Sequence, residues 1–180
     1  WGRLEDGQLR VLSAAPWALD VKPTGESVAA DTVEWLAPVE ASKVVCVGLN
    51  YRDNAAEMGE ALPVEPKLFI KPSTSVLDPG KSILLPRSSS RVDYEAELAI
   101  VVGKQVGPGM DDGAALFGYT CGNDVTARDL QKKDGQWTRA KGFDTFCPLG
   151  PSLVRGIDPA DLAVECWVNG QRKQSSRTSQ

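Results

Sequence analysis

The feature that most constrains the fold is an apolar segment, residues 91–102, in which two glutamates precede a run of small and branched side chains. Its sequence, RVDYEAELAIVV, is typical of a buried β-strand. Side chains two residues apart lie on the same face of a strand, so Glu95 and Glu97 are predicted to lie side by side. Apolar residues follow on both faces, and such a strand is normally covered on both sides.

Two neighbouring carboxylates at the start of a buried strand repel each other unless a cation lies between them. A hard divalent ion held by Glu95 and Glu97 is the simplest solution. The alternative is an edge strand that carries both glutamates in solvent.

Length and composition place the chain among ordinary globular proteins. The 180 residues, 42% of them apolar and 24% charged, suffice for one domain with a small appendage. A net charge of −4 gives no basic surface for nucleic acid. No apolar run is long enough to span a membrane, and no signal peptide is recognisable. Four cysteines without a CxxC pair indicate buried, free thiols in the cytoplasm.

Histidine is absent from the sequence. This excludes Ser-His-Asp and Cys-His catalysis and every zinc site that depends on histidine. Acid–base chemistry must therefore be carried out by carboxylates, lysine, tyrosine or metal-bound water.

The pattern of short strands and few, short helices predicts an α+β fold that is rich in β-structure. Residues 1–40 are predicted to form a small N-terminal β unit, with a hairpin at residues 2–11 and a loop at 16–26. Residues 43–180 form the second region, with helical segments expected at 52–58, 111–117 and 125–132. Asn169-Gly170 predicts a type I′ hairpin after the strand at 163–168. Because the chain stops within the returning strand, we expect it to be truncated at its C-terminus.

Several polar residues outside residues 91–102 are candidates for a functional site, and each also has a simpler interpretation. Asp124 follows a short strand, where catalytic carboxylates often lie, but it is equally suited to cap a helix. Lys141 lies in a polar stretch, as surface lysines do. Asn54 and Glu57 form one face of a short helix. Lys71, at the end of a strand, is suited to extend its amine into solvent.

Taken together and in order, these segments resemble the fumarylacetoacetate hydrolase (FAH) family. The resemblance covers residue 43 to the end and is carried by five motifs: VGLNYRDNAAEMG (47–59), FIKP (69–72), DYEAEL (93–98), GY (118–119) with NDVTARDLQ (123–131), and KGFDTFCPLG (141–150). It implies a catalytic domain at 43–180 with a mixed β-roll core, and a homodimer. It also implies an enzyme that acts on a 2-oxo acid or its enol. The expected reactions are C–C hydrolysis, decarboxylation or isomerisation, as in aromatic catabolism.

The resemblance also implies roles for individual residues. Glu95, Glu97 and Asp124 are expected to hold Mg²⁺ or Mn²⁺, and Lys141 to face the substrate bound there. Such an ion acts as a Lewis acid and stabilises the enolate that the three reactions share. Further contacts with the substrate are expected from Arg52, Lys71 and Gln131. Family members continue with further strands and a loop that closes the pocket, so a C-terminal part of the domain is expected to be missing.

One position departs from the family pattern. Hydrolases and decarboxylases of the family carry a histidine in the lid helix, where this sequence has Asn54; the paired Glu57 is present. A neutral amide cannot take up a proton near pH 7, so Glu57 is left to act alone as the lid base. Loss of a general base costs roughly 10²–10⁴ in rate. Hydrolysis is therefore expected to suffer more than isomerisation. The alternative is a catalytically impaired homologue that still binds the metal and a 2-oxo acid.

Overall fold

The structure, a computed structural model, describes residues 1–53, 59, 61–110 and 113–180. The regular secondary structure of the described residues is mostly strand, with few and short helices. The strands are β1 (Gly2–Glu5), β2 (Gln8–Leu12), β3 (Pro23–Ala29), β4 (Lys43–Gly48), β5 (Lys67–Pro72), β6 (Val76–Leu77), β7 (Val92–Asp93), β8 (Ala96–Val102), β9 (Leu116–Asn123), β10 (Thr126–Ala127), β11 (Cys147–Pro148), β12 (Ala163–Val168) and β13 (Gln171–Arg177). The α-helices are α1 (Arg128–Asp134) and α2 (Thr138–Lys141), and 3₁₀ turns lie at Ala30–Thr32, Ser73–Ser75 and Gly113–Ala115.

The chain divides into two compact units, one of residues 1–35 and 101–117 and the other of residues 36–100 and 118–180. In the first unit, β1, β2 and β3 form an antiparallel sheet in that order. The predicted hairpin at residues 2–11 is confirmed: Asp6 and Gly7 form its turn, and both have positive φ. The predicted loop at 16–26 is wrong in its last part, because pairing with β2 draws Pro23–Ala29 into the sheet.

The helix predicted at residues 111–117 is also wrong over the described residues. Gly113–Ala115 forms only a 3₁₀ turn, and Leu116 already begins β9. Glycine is a weak helix former, and the carbonyl of Ala115 accepts a hydrogen bond from the Gly103 amide at 2.9 Å. This bond and the pairing of β9 with β8 favour the extended conformation.

The second unit contains most of the remaining paired strands. β4 pairs with β5 and β12 with β13, both antiparallel, while β6 and β11 are parallel. The turn at Asn169-Gly170 has positive φ at both residues, which confirms the predicted hairpin. A compact core of Val125, Ala127, Leu130, Ala140 and Phe146 lies between β10, α1 and α2. This buried apolar packing holds the segment that carries Asp124 in place.

The segment at residues 91–102 is less regular than the sequence predicts. β7 ends at Asp93 and β8 begins at Ala96, so Tyr94 and Glu95 lie between two strands. Ile100 and Val102 are 55% and 60% exposed, so the prediction of a strand covered on both faces is wrong in the described structure. The glutamates are therefore separated by the start of β8 and do not lie within one continuous strand.

The helices of the second unit are short. α1 begins at Arg128, three residues after the start predicted for this segment, because Thr126 and Ala127 pair with β7. It ends at Gly135, whose left-handed φ of 70° is typical of a helix C-cap. In the segment predicted as helix at 52–58, Arg52 and Asp53 are helical and residues 54–58 lie outside the described residues. Among the described helices, none is long and apolar enough to cross a membrane.

The cysteines differ in their surroundings. All four are free, Cys147 is buried, Cys46 and Cys166 are half-buried, and Cys121 on β9 is exposed. The prediction that every thiol is buried is therefore wrong for Cys121.

Candidate functional site

The centre of the candidate site is an ion cluster in the second unit. Asp124 follows the end of β9 and is 5% exposed, and Lys141, the last residue of α2, is 3% exposed. The Lys141 Nζ lies 2.5 Å from Asp124 Oδ2 and 2.6 Å from Glu95 Oε2. The lysine thus bridges two carboxylates that would otherwise repel each other. The Lys141 ammonium also lies 4.9 Å from the centre of the Phe69 ring, which adds a cation–π contact.

Glu95 is held by a full set of partners. Its Oε1 pairs with the guanidinium of Arg128, and its Oε2 accepts a hydrogen bond from the Thr126 hydroxyl at 3.0 Å. Burial raises the pKa of Glu95, but the positive charges of Lys141 and Arg128 outweigh burial and hold this pKa below its ordinary value. Glu95 therefore stays ionised at neutral pH.

Glu97 differs sharply from Glu95. Its Oε1 accepts one hydrogen bond, from the Asn50 side-chain amide at 3.2 Å, and it has no ion pair with any described residue. Burial raises the pKa of Glu97 to about 7, and the negative charges of Asp124 and Glu95 add to this shift. The second glutamate of the pair thus has no ion-pair partner among the described residues, and the charge of Lys141 only partly offsets its acidic neighbours.

Lys71 lies behind the ion cluster and is completely buried. Its ammonium donates hydrogen bonds to the backbone carbonyls of Val125, Lys141 and Phe146, at 3.1, 2.5 and 2.8 Å. It also lies 2.7 Å from Asp124 Oδ1. This distance makes an ion pair, but Asp124 Oδ1 accepts no hydrogen bond from the described residues. An ammonium has three N–H donors, and the three carbonyls match that number.

In front of the cluster lies a cavity of about 190 Å³. Its walls are formed by Val47, Gly48, Leu49, Asn50, Lys67, Glu95, Glu97, Asp124, Arg128, Gln131, Lys132, Trp137 and Lys141. The structure therefore brings Glu95, Glu97, Asp124, Lys141 and Gln131 of the predicted site residues together around one space.

Two of the predicted residues that the structure describes, Lys71 and Arg52, do not line this cavity. Lys71 is completely buried, and its ammonium already donates to three backbone carbonyls. The prediction that Lys71 contacts the substrate directly disagrees with this burial. Arg52 is exposed and is not among the residues that line the cavity. Asn54 and Glu57, predicted as lid residues, lie outside the described residues.

Several residues of the site were not predicted from the sequence, among them Arg128, Trp137 and Asn50. Arg128 pairs with both Asp93 and Glu95, and it also donates to the Gln131 side chain at 3.1 Å. The sequence could have indicated Arg128 by its position at the start of a helix, four residues after Asp124. Trp137 lines the cavity and packs edge-to-face on Phe69 with ring centres 5.5 Å apart. Asn50 lines the cavity and donates its side-chain amide hydrogen bond to Glu97.

The chemistry of the donors fits a hard divalent cation, which binds oxygen ligands and above all carboxylates. Asp124 Oδ1 is buried without a hydrogen bond, and Glu97 has no ion pair among the described residues. The Lys71 ammonium already lies 2.7 Å from Asp124 Oδ1, so the oxygen atoms of Glu97 are the more open to a cation. Within residues 1–53, 59, 61–110 and 113–180, no three His, Cys, Asp or Glu side chains are arranged closely enough to hold a metal ion. The Lys141 ammonium takes the position between the carboxylates of Glu95 and Asp124.

Comparison with known families matches both parts of the chain. Residues 43–180 match the family model described as fumarylacetoacetate (FAA) hydrolase C-terminal. Residues 1–38 match the model described as Rv2993c-like, N-terminal.

Individual relatives and solved structures agree with the family match. The chain is 52% identical over 161 residues to protein Rv2993c of Mycobacterium tuberculosis, covering 87% of this chain and 61% of that protein. It is 46% identical over 155 residues to the mitochondrial oxaloacetate tautomerase Fahd2a of Rattus norvegicus, covering 82% and 50% of the two chains. The crystal structure of 2-hydroxyhepta-2,4-diene-1,7-dioate isomerase from Mycobacterium marinum superposes with a TM-score of 0.82 at 46% identity, covering 96% and 65%.

These matches cover this chain more fully than they cover the relatives. The chain spans about three fifths of the length of the curated relatives that match it strongly, 60%, 61% and 63% in three cases.

Proposed function

Because the chain belongs to the fumarylacetoacetate hydrolase family, we propose that it is an enzyme that isomerises a 2-oxo acid through its enol with a divalent cation bound beside Glu97. Family members that match it include a tautomerase and an isomerase by name, which supports this class of reaction. The proposal favours isomerisation over C–C hydrolysis because Asn54 stands where the resemblance implies a histidine.

The observation that carries the proposal is the state of the buried carboxylates. Asp124 Oδ1 accepts no hydrogen bond from the described residues, and Glu97 has a pKa raised to about 7 by burial and by its acidic neighbours. Asp124 Oδ1 has one counter-charge, the Lys71 ammonium at 2.7 Å. Glu97 has no ion pair with any described residue, so a cation beside Glu97 would supply the positive charge that this carboxylate needs. On this proposal Glu95, Glu97 and Asp124 hold Mg²⁺ or Mn²⁺.

A bound Mg²⁺ or Mn²⁺ would supply a Lewis acid that polarises the 2-keto oxygen. Lys141 then holds positive charge at the cavity wall, where negative charge develops on the substrate oxygen as the enolate forms. Arg128 keeps Glu95 ionised and oriented. Glu57 is the proposed acceptor of the proton that leaves the carbon next to the keto group. Returning the proton to oxygen or to another carbon gives the enol or the isomer.

Two lysines at the cavity support a dicarboxylic substrate. Lys67 and Lys132 line the cavity, are exposed, and form no ion pair with any described residue. A second carboxylate on the substrate would meet them there, with the Trp137 ring beside its carbon chain. The names of the matching enzymes, an oxaloacetate tautomerase and a dioate isomerase, agree with two carboxylates.

Cation binding is tested by titrating Mn²⁺ into the protein in a calorimeter. We expect binding to the wild type and a large loss of affinity in Glu97→Gln, which keeps the shape and removes the charge. The matched control is Glu26→Gln, an exposed glutamate on β3. Equal Mn²⁺ affinity in wild type and Glu97→Gln would refute the proposed site.

Turnover is tested by following the enol-to-keto conversion of oxaloacetate in the ultraviolet, with Mn²⁺ and no protein as the reference. We expect a faster rate with protein. Replacing Lys67 and Lys132 by methionine should raise KM for oxaloacetate by about two- to fivefold per lysine, as for exposed ion pairs, and leave KM for 2-oxobutanoate, which has one carboxylate, unchanged. Equal changes for both substrates would contradict the dicarboxylate assignment.

Asn54 supports a second candidate function, a homologue that binds the cation and a 2-oxo acid but turns over poorly. The variant Asn54→His separates the two. If the wild type binds Mn²⁺ without tautomerase activity and the variant gains decarboxylation of oxaloacetate, the site has been silenced at one position. If the wild type is already active, it is a divergent isomerase.

A further inference from the structure

The break between β7 and β8 leaves backbone amides at Glu95 and Ala96 that need acceptors, since buried N–H groups are almost always paired. Two side-chain amides provide them. Asn123 Oδ1 accepts from the Glu95 amide at 2.9 Å, and Gln174 Oε1 accepts from the Ala96 amide at 2.9 Å. Ala96 is the residue between the two glutamates, so both bonds act on the backbone that carries their carboxylates.

Gln174 reaches this position because of an irregularity in its strand. Along β12 and β13, Trp167 pairs with Arg172 and Cys166 pairs with Gln174, which leaves Lys173 as an extra residue. Such a β-bulge shifts the alternation of side chains by one and re-aims those that follow. Gln174 and Ser176 are consequently half-buried, while Lys173 and Ser175 are exposed.

A second contact is made by the same face of β13. The Ser176 hydroxyl donates to Asp53 Oδ2 at 2.6 Å. Asp53 directly precedes Asn54, the position at which the sequence departs from the family pattern. Two neighbouring side chains on one face of β13 therefore hold the backbone between the glutamates and the start of the helical segment at Arg52 and Asp53.

We propose that Gln174 is a positioning residue for the carboxylate pair: its side-chain carbonyl fixes the Ala96 amide and thereby sets the direction of the Glu95 and Glu97 side chains into the cavity. Gln174 does not itself line the cavity. The inference rests on the proposed cation site, and it adds that this site depends on the bulge in β13.

The test uses Gln174→Met, which keeps the length of the side chain and removes the acceptor. Gln171→Met, at an exposed position of the same strand, is the matched control. In metal-free protein, we expect the Ala96 amide to exchange with deuterium faster in Gln174→Met than in the wild type or the control. Gln174→Glu restores an acceptor and should restore the slow exchange.

The second readout is Mn²⁺ affinity by calorimetry, measured well below the melting temperature of each variant. We expect Gln174→Met to bind Mn²⁺ about tenfold more weakly, as for other residues that orient metal ligands. A purely structural role would lower the melting temperature and leave the Mn²⁺ affinity unchanged.

The outcomes separate the two ideas. If the wild type binds Mn²⁺ and Gln174→Met binds it equally well, or if Ala96 exchange is unchanged, the positioning role is overturned while the proposed function stands. If the wild type binds no Mn²⁺, the proposed cation site is overturned, and with it the role of Gln174 toward that site.

Discussion

The Lys141 ammonium lies 2.5 Å from Asp124 Oδ2, in a position that is almost closed to solvent. An ion pair of this kind is strengthened by its low-dielectric surroundings, and the loss of one partner leaves a buried charge without compensation. The relationship makes Lys141 both a structural and an electrostatic element of the site.

Replacing Lys141 by methionine should therefore lower kcat for oxaloacetate tautomerisation by about 10²–10³, the effect of removing one group that stabilises a developing oxyanion. Steady-state kinetics with Mn²⁺ measure this effect. Lys133→Met, on the exposed side of α1, is the control and should keep the wild-type rate. A Lys141→Met variant with normal kcat would remove Lys141 from the mechanism.

Replacing Lys71 by methionine should destabilise the fold without a specific effect on KM. The change leaves Asp124 with one counter-charge fewer and three buried carbonyls without their donor. We expect the free energy of unfolding to fall by about 3–5 kcal/mol, as when other buried ion pairs lose one partner. Urea denaturation measures this, with Lys43→Met, at the exposed start of β4, as the control. If Lys71→Met unfolds with the wild-type free energy but has a raised KM, the result would support the predicted contact between Lys71 and the substrate.

Glu97 predicts a pH dependence of the stability of the metal-free protein. Burial and the charges of Asp124 and Glu95 raise the pKa of Glu97 from 4.5 to about 7. Glu97 therefore keeps its proton up to a higher pH in the folded state than in the unfolded state. The resulting stabilisation is complete below about pH 4.5 and is lost as the pH rises through about 7, a total of about 3 kcal/mol. Urea denaturation between pH 5 and pH 8 should show this fall, and Glu97→Gln should abolish it. The same slope in the variant would mean that another group titrates.

The close approach of Gly48 to the Trp137 ring leads to a further prediction. A Cβ at Gly48 would collide with the Trp137 ring, which forms part of the cavity wall. Gly48→Ala should therefore displace the ring, destabilise the protein by about 1–3 kcal/mol as other overpacking substitutions do, and raise KM. Gly122→Ala is the matched control, since a Cβ there meets Ala99 Cβ at an ordinary 3.5 Å. Thermal denaturation and kinetics of both variants check the prediction.

Much of the site was predictable because its residues follow recognisable strands in a specific order. The sequence predicted the strand at residues 163–168, which is β12, and the motif order predicted that Glu95, Glu97, Asp124 and Lys141 meet. The homodimer, the cytoplasmic location, the bound metal and the β-roll remain predictions.

What could not be predicted depends on partners distant in the sequence. The break at Tyr94 and Glu95 is stabilised by Asn123 and Gln174, which lie 28 and 78 residues from the amides that they bind. Lys71 is buried rather than extended into solvent because three carbonyls, 54 to 75 residues away, converge on its ammonium. No local pattern in a single sequence reports such convergence.

The burial of Lys71 has a consequence for how substrate preference can change over evolution. Its ammonium joins three backbone segments and one side of Asp124, out of reach of any ligand, whereas Lys67 and Lys132 stand at the solvent-exposed rim. Substitutions at the rim change charge and shape without disturbing the joined segments. The fold thus separates buried charges that hold the backbone together from exposed charges at the entrance, so we expect changes at the entrance to alter substrate preference with little loss of stability.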